Sequence, residues 1–280
     1  MDIFTESDFE ILESLLCKAP PDFLKTVLAK DSLFHMHIPK TGGTYIKVLF
    51  QSLGIKFYNP AHMRCNANIP LYPDPTDSIP CDGVYKEQEG FEESLRFCVV
   101  RNPFDWLTSY YFHTHGEEKA PWLGVKGVGG IRYFYSTFEK FVEAYCDGEQ
   151  YWNIGLNEFR RFYPFQIFDE HGTCQSHLIL KNGNNEELQS ACTLLAMSFG
   201  IPYSSLEKKL NTKTNTSSAK KEDYRKYYTS KMIDRLEVKW ENILSAFGYD
   251  FNGSTDEKFM ISGKNVRYSN RKNLVGKKFV

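Results

Sequence analysis

The chain has 280 residues, of which 41% are hydrophobic, 15% aromatic and 25% charged. That composition is typical of a folded globular protein and argues against a predominantly disordered chain. The formal net charge of −1 hides a basic C-terminal quarter, since residues 207–280 carry 17 Lys and Arg against nine Asp and Glu, which suits either a polyanionic ligand or a solvated face.

The first 90 residues alternate between helical and strand-like patterns. Ser7 and Glu10 resemble a capping box at the start of an N-terminal helix, and a second short helix is predicted after Pro21. The next predicted elements are a buried strand at Leu33–Ile38, a helix at Thr44–Leu53 that ends at Gly54, and a strand at Ile55–Tyr58. Residues 59–90 are rich in Pro, Asn and Asp and predict a long loop, of a kind that is usually functional or mobile.

The alternation continues through the rest of the chain. Leu95–Val100 is predicted to be a buried strand, and Asn102 can cap a helix that begins at Pro103 and runs to about His113. A Gly-rich stretch at 124–130 precedes the remaining predicted elements: a helix at Thr137–Cys146, a strand at Ser176–Lys181, a helix at Asn185–Phe199 that ends at Gly200, and a helix at Glu222–Phe247 that ends at Gly248.

Strands that alternate with helices indicate an α/β protein. The pattern predicts a three-layer fold with a central parallel sheet flanked by helices on both faces. We expect one domain, with N-terminal helices in residues 1–30, a core in residues 33–251 and a basic C-terminal extension in residues 252–280.

The strongest chemical signal is the segment His37–Tyr45, which reads HIPKTGGTY and lies between a predicted strand and a predicted helix. Such a turn presents successive backbone N–H groups and a helix N-terminus to an anion. The segment also supplies two glycines that let the backbone approach closely, a mobile positive charge and two hydroxyl donors: Gly42, Gly43, Lys40, Thr41 and Thr44. The alternative is a tight strand-to-helix turn in which the lysine is incidental.

This segment is not a Walker A loop, because the lysine of that motif follows the glycines. Here Lys40 precedes them, and the loop is shorter. The second candidate function, a P-loop kinase or NTPase that acts on ATP, would also need an Asp at a strand end to hold Mg²⁺. Neither Val99–Val100 nor Leu178–Lys181 supplies one.

A second segment, Val99–Ser109, reads VVRNPFDWLTS and also lies at a strand-to-helix junction. Arg101 closes the predicted strand, and its guanidinium could bind a phosphate through two hydrogen bonds. Ser109 lies about two helical turns later and could donate its hydroxyl to the same phosphate if the helix passes alongside it. The alternative is that Arg101 pairs with Asp105 and holds the corner between strand and helix.

Together the two segments resemble the nucleotide-binding motifs of sulfotransferases that use 3'-phosphoadenosine 5'-phosphosulfate (PAPS). HIPKTGGTY resembles their 5'-phosphosulfate loop, and RNPFDWLTS resembles their 3'-phosphate motif. The residues of both motifs are most similar to those of the carbohydrate 2-O and 6-O sulfotransferases and their soluble microbial relatives. Residues 211–221, Tyr224–Tyr228 and Phe247–Phe251 are similar to the family's C-terminal nucleotide-side loop and last helix. The resemblance therefore covers roughly residues 33–251.

The resemblance implies a P-loop-like α/β fold and the in-line transfer of a sulfuryl group from PAPS to a hydroxyl, without a metal ion. It implies that the 5'-phosphosulfate is held by Lys40, Thr41, Gly42, Gly43 and Thr44. It also implies that the 3'-phosphate is held by Arg101 and Ser109, helped by Ser217, Ser218 or Lys220. The chain departs from the family at Leu178–Asn182, where relatives often have an Arg-Phe-Glu strand end.

The acceptor hydroxyl must lose a proton as it attacks sulfur, and a neutral imidazole suits that task near pH 7. Among the seven histidines we favour His62, just past the second predicted strand, because enzymes of the family often place their catalytic His at this point in chain order. The alternative is an exposed loop histidine. His113 and His115 are the next candidates, whereas we expect His35 and His37 to be packed in the structure.

The seven cysteines form no CxxC pair, which argues against a zinc site or a full disulfide framework and favours a reducing compartment. The acidic N-terminal segment lacks the basic region of a signal peptide, and no run approaches the ~20 apolar residues of a spanning helix. We therefore expect a cytoplasmic enzyme without a membrane span or a nucleic-acid partner. The acceptor stays open among a sugar, a lipid, a polyketide-like alcohol and protein tyrosine, and a nucleotide-binding relative without catalysis is a third possible function.

Overall fold

The computed structural model describes residues 4–38, 40–60, 85–113, 137–147, 167–169, 171–183, 185–210 and 223–267. Within these ranges the strands are, in chain order, β1 (Leu33–His35), β2 (Phe57–Tyr58), β3 (Leu95–Arg101), β4 (Leu178–Asn182), β5 (Tyr249–Asp250), β6 (Gly253–Ser254) and β7 (Met260–Ser262). The helices are α1 (Glu6–Leu16), α2 (Phe23–Leu28), α3 (Gly43–Ser52), α4 (Pro103–His113), α5 (Phe138–Asp147), α6 (Asn185–Ser198), α7 (Tyr203–Leu210) and α8 (Ser230–Phe247).

The central sheet has five strands in the order β2-β1-β3-β4-β7. Strands β1 to β4 are parallel to their neighbours, β7 is antiparallel to β4, and β5 and β6 form a separate two-stranded hairpin. The sheet places Leu33 of β1 opposite Leu95 of β3, and Arg101 of β3 opposite Asn182 of β4. The prediction of an α/β protein with a central, mostly parallel sheet is confirmed.

The two faces of the sheet bury separate apolar clusters, because alternate residues of a strand point to opposite faces. Cys98 and Val100 belong to the cluster that α4, α5 and α8 cover, which we call the α4 face. Phe97 and Val99 belong to the cluster that α2, α3, α6 and α7 cover, which we call the α3 face. A strand buried on both faces has apolar residues at consecutive positions, and the run Phe97–Val100 is why this strand was recognisable in the sequence.

The start of α1 differs from the prediction. Its N-cap is Thr5 rather than Ser7: the Thr5 hydroxyl accepts the N–H of Asp8, and the Asp8 carboxylate accepts the N–H of Thr5 at 2.7 Å. The capping-box pattern fits two pairs of residues that are offset by two positions, Thr5 with Asp8 and Ser7 with Glu10. The first is used because the Asp8 carboxylate also accepts the N–H of Tyr203, in α7, at 2.7 Å.

The start of α8 is also later than the predicted Glu222. Thr229 caps the helix, and its end at a left-handed Gly248 is confirmed. Upstream of it, Tyr224–Tyr227 forms a 3-10 turn. The hydroxyl of Tyr224 donates to the Phe251 carbonyl at 2.5 Å and that of Tyr228 to the Phe104 carbonyl at 2.7 Å, so contacts with distant segments set the conformation here.

Helix α7 and strand β7 were not predicted. Strand β7 lies in the segment that the sequence placed beyond the core, yet it pairs with β4 in the central sheet. Strand β1 ends at His35, three residues before the predicted end at Ile38. In the part of the chain that the structure describes, no helix is long and apolar enough to cross a membrane.

Candidate active site

Strands β1, β3 and β4 run in the same direction, so their carboxyl ends meet at one edge of the sheet. The HIPKTGGTY segment leaves β1 at this edge, Arg101 ends β3 and Asn182 ends β4. Open parallel sheets bind their ligands outside this edge. The two segments that the sequence selected therefore lie beside one another.

The turn between β1 and α3 contains two residues in left-handed backbone conformations. Lys40 has a φ of 67° and is the one non-glycine residue with a positive φ among the described residues. Gly42 has a φ of 104° and is the N-cap of α3. A left-handed lysine costs on the order of 1–3 kcal/mol, and such strain is concentrated at functional sites. The turn therefore has features of a binding loop that an ordinary strand-to-helix connection would not need.

Gly43 is required by the imidazole of His37. A Cβ atom at position 43 would lie 2.2 Å from the Nε2 of His37, a separation that real Cβ atoms do not show. The His37 ring therefore packs directly against the backbone at the start of α3, and it stacks on the ring of His35 with centroids 5.3 Å apart. The prediction that His35 and His37 are packed in the structure is consistent with these contacts.

The N-cap residue of α3 supplies no side-chain cap. It is Gly42, which has no side chain to accept the first amide N–H groups of the helix. A helix N-terminus carries partial positive charge and orphan N–H donors, and both favour an anion. This geometry suits a phosphate or sulfate group at the start of α3.

Two consecutive carbonyl groups of the turn are held by side chains from the neighbouring strand ends. The Nη1 of Arg101 donates to the carbonyl of Lys40 at 3.1 Å, and the Nδ2 of Asn182 donates to the carbonyl of Thr41 at 2.9 Å. The hydroxyl of Thr41 donates within the loop, to the carbonyl of Ile38 at 2.7 Å. One hydrogen bond within the loop and two from the neighbouring strand ends therefore hold its backbone in place.

Two cations, Lys40 and Arg101, lie close together at this edge. The Nε of Arg101 forms an ion pair with the Asp105 carboxylate, so the corner interaction that was the alternative role of Arg101 is present. Arg101 makes it while also contacting the Lys40 carbonyl. Burial, together with the charge of Arg101, lowers the pKa of Lys40 to about 8. An anion bound between Lys40 and Arg101 would offset the repulsion between the two charges and favour the protonated form of Lys40.

Asn102 caps α4 as predicted, with its Oδ1 accepting the N–H of Phe104 at 3.0 Å. Its Nδ2 donates to the carbonyl of Asp250 at 2.7 Å, which ties the helix start to the β5–β6 hairpin. Ser109 is buried in α4, with 3% of its surface exposed. The structure therefore places Arg101 against the HIPKTGGTY loop and Asn102 against the β5–β6 hairpin.

Two of the histidines are poor bases in this structure. Burial lowers the pKa of His35 to about 3, with a further contribution from His37, although a hydrogen bond of 2.8 Å between its Nδ1 and Asn59 opposes the shift. Burial and the nearby Arg96 lower the pKa of His177 to about 4. His62, Ser217, Ser218 and Lys220 lie outside the described residues.

Asn182 is the residue of this site that the sequence did not reveal. In the sequence it was only the last residue of Leu178–Asn182, the segment that departs from the family pattern. Its position opposite Arg101 in the sheet was the available signal, but using it required the strand register.

A sequence profile of the sulfotransferase family matches residues 26–250, which include every described element from β1 to β5. The chain belongs to the sulfotransferase family. Comparison with curated proteins and with solved structures finds no match. Family membership agrees with the presence of two cations and a helix start at the edge formed by β1, β3 and β4, and it supports a sulfotransferase activity in general.

Proposed function

We propose that the protein transfers a sulfuryl group from PAPS to a hydroxyl of a carbohydrate or another small acceptor. The observation that carries the proposal is the turn after β1, where a left-handed Lys40 and a glycine-capped helix start lie beside Arg101. Cations and a helix N-terminus at one point are suited to a ligand with several negative charges. PAPS carries such charges at both its 5' and 3' positions.

The donor would be held at two places. Its 5'-phosphosulfate would contact the turn formed by Lys40, Thr41, Gly42, Gly43 and Thr44. Its 3'-phosphate would contact Arg101 and Ser109, with Ser217 and Lys220 contributed by the segment before Asp223. Because the hydroxyl of Thr41 is used within the loop, we assign that residue a contribution through its backbone.

In the proposed reaction the acceptor oxygen attacks sulfur as the bond from sulfur to the phosphate oxygen breaks. The proton of the acceptor hydroxyl passes to His62, and the leaving group is adenosine 3',5'-bisphosphate. Lys40 would stabilise the charge that develops on the leaving phosphate oxygen, an interaction that is stronger in the transition state than in the bound donor.

Calorimetry on the purified protein tests the donor. We expect adenosine 3',5'-bisphosphate to bind without Mg²⁺, because Lys40, the loop amides and Arg101 supply the counter-charge. Preferential binding of ATP with Mg²⁺ would support a kinase or NTPase instead. Binding of the bisphosphate without sulfonation of any member of an acceptor library would indicate a nucleotide-binding relative that has lost catalysis.

The base is tested by His62→Ala once an acceptor is known. We expect kcat to fall by on the order of 10²–10⁴ and bisphosphate affinity to change little, because no phosphate contact is lost. The rate of the unmodified enzyme should rise with pH through an imidazole pKa near ~6.5. Near-normal turnover of His62→Ala would exclude this residue, and His113 and His115 would be tested next.

A further inference from the structure

Asn182 contacts the HIPKTGGTY loop although its strand, β4, is not adjacent to β1 in the sheet. Strand β3 lies between β1 and β4, and Asn182 stands beside Arg101 at the end of the sheet. From there its Nδ2 donates to the carbonyl of Thr41 at 2.9 Å. A Cβ on Gly42 would lie 3.3 Å from the same nitrogen, so the amide of Asn182 packs closely against the loop.

The hydrogen bonds to the carbonyl groups of Lys40 and Thr41 fix the direction of two backbone N–H groups. In a trans peptide the C=O and the following N–H point in opposite directions. Holding the Lys40 carbonyl on Arg101 therefore turns the N–H of Thr41 away from the strand ends. Holding the Thr41 carbonyl on Asn182 does the same for the N–H of Gly42.

The Thr41–Gly42 peptide can rotate more easily than the Lys40–Thr41 peptide. It precedes Gly42, whose φ of 104° and missing side chain leave the Thr41–Gly42 peptide free to rotate at little steric cost. Donors that must turn toward an anion only when it arrives bind it less well than donors already in place.

We infer that Asn182 is a positioning residue, which holds the amide of Gly42 in the orientation that binds the 5'-phosphosulfate. The inference deepens the proposed function and rests on it for the identity of the anion. It goes beyond the two sequence segments, because it assigns a role in donor binding to the end of β4. Asn182 acts through the loop backbone and does not itself contact the donor.

The test uses Asn182→Leu, which has a similar shape but no hydrogen-bond donor and adds no charge. Its matched control is Gln175→Leu, because Gln175 precedes β4 at the other end of the sheet and its Nε2 donates to Asp169 at 2.8 Å. Both variants lose one side-chain amide donor. Asn182→Ala replaces Asn182→Leu if thermal denaturation shows that the latter does not fold.

Two measurements are made on each protein. The first is hydrogen–deuterium exchange of the loop peptide in the ligand-free state, which we expect Asn182→Leu to accelerate roughly five- to thirty-fold. The second is the Kd of adenosine 3',5'-bisphosphate, which we expect to rise by a similar factor while the acceptor KM stays constant. Gln175→Leu should change neither quantity.

The outcomes separate this inference from the proposed function. If the unmodified protein does not bind the bisphosphate, the proposed donor is wrong, and exchange alone still decides whether Asn182 holds the loop. Unchanged exchange in Asn182→Leu would overturn the inference, whatever happens to affinity. Faster exchange with an unchanged bisphosphate Kd would also overturn it, because the orientation of the amide would then not matter for binding.

Discussion

Helices α3 and α4 both begin at the carboxyl end of a strand, but their first turns are completed differently. At α4, Asn102 accepts the N–H of Phe104 and the first residue, Pro103, has no N–H to satisfy. At α3, the N-cap is a glycine that offers no side-chain acceptor. The protein's own groups complete the start of α4, whereas the start of α3 has the geometry to receive a group from outside.

The two junctions also connect to different parts of the molecule. Asn102 binds the carbonyl of Asp250 in the β5–β6 hairpin, on the side of the α4 face. The α3 junction is instead held by Arg101 and Asn182, which fix its carbonyl groups. Under the proposed function, one helix start at this edge of the sheet serves stability and the other serves binding, and three experiments test that division.

The largest effects are expected from the two cations of the α3 junction. Arg101→Ala should weaken bisphosphate binding by about 2–5 kcal/mol, because it removes a partly buried charge. Lys40→Ala should reduce kcat by on the order of 10²–10³ and affect binding less, since in the proposed reaction its charge stabilises the leaving phosphate. Calorimetry and single-turnover kinetics separate the two, with Lys47→Ala on the exposed side of α3 as the control. Equal losses of binding with unchanged turnover of the bound complex would contradict these roles.

A smaller effect, on stability, is expected at the α4 junction. Asn102→Ala should lower the free energy of unfolding by about 2–4 kcal/mol in urea denaturation, because it removes a helix cap and leaves the Asp250 carbonyl without this donor. Asn102→Asp keeps an acceptor for the cap but places a buried carboxylate against the Asp250 carbonyl, so its loss of stability should be at least as large as that of Asn102→Ala. Bisphosphate affinity of the folded variants should stay within about threefold. A tenfold loss of affinity without loss of stability would show that this junction also serves binding.

The smallest effect concerns pH. Below about pH 8 Lys40 is protonated in the free protein, and an anion binds that form. As pH rises through about 8 the charge is lost, so the Kd of the bisphosphate should be constant near pH 7 and rise at most about tenfold per pH unit above 8. Calorimetry at several pH values measures the slope. Lys40→Arg keeps its charge throughout and should remove the slope, and a slope that persists in this variant would have to come from another group.

The sequence revealed the features that depend on neighbouring residues. The cap at Asn102 with Pro103, the end of α8 at Gly248 and the buried run of β3 are all local patterns, and the structure has them where they were predicted. The HIPKTGGTY turn was recognisable because its glycines and lysine are adjacent in the chain. Its contact with Arg101 was not predicted, because that contact depends on the pairing of β1 with β3 in the sheet.

The features that were missed depend on partners far along the chain. The choice of Thr5 over Ser7 as a cap is made by Tyr203, and the 3-10 turn before α8 is held by hydrogen bonds to Phe104 and Phe251. Asn182 contacts Thr41 across 141 positions of sequence. No local pattern contains such information, so the register of the sheet was needed to obtain it.

The antiparallel strand β7 has a consequence for how the chain is made. Strand β4 pairs with β3 on one side and with β7 on the other, and β7 is synthesised long after β4 has left the ribosome. Until Met260–Ser262 emerges, the far side of β4 is an open strand edge made of Leu178, Ile179 and Leu180, which are fully buried in the finished protein. Exposed apolar edges of this kind recruit strands from other chains. Nascent chains that stall before Met260 should therefore depend on chaperones far more than the completed protein does.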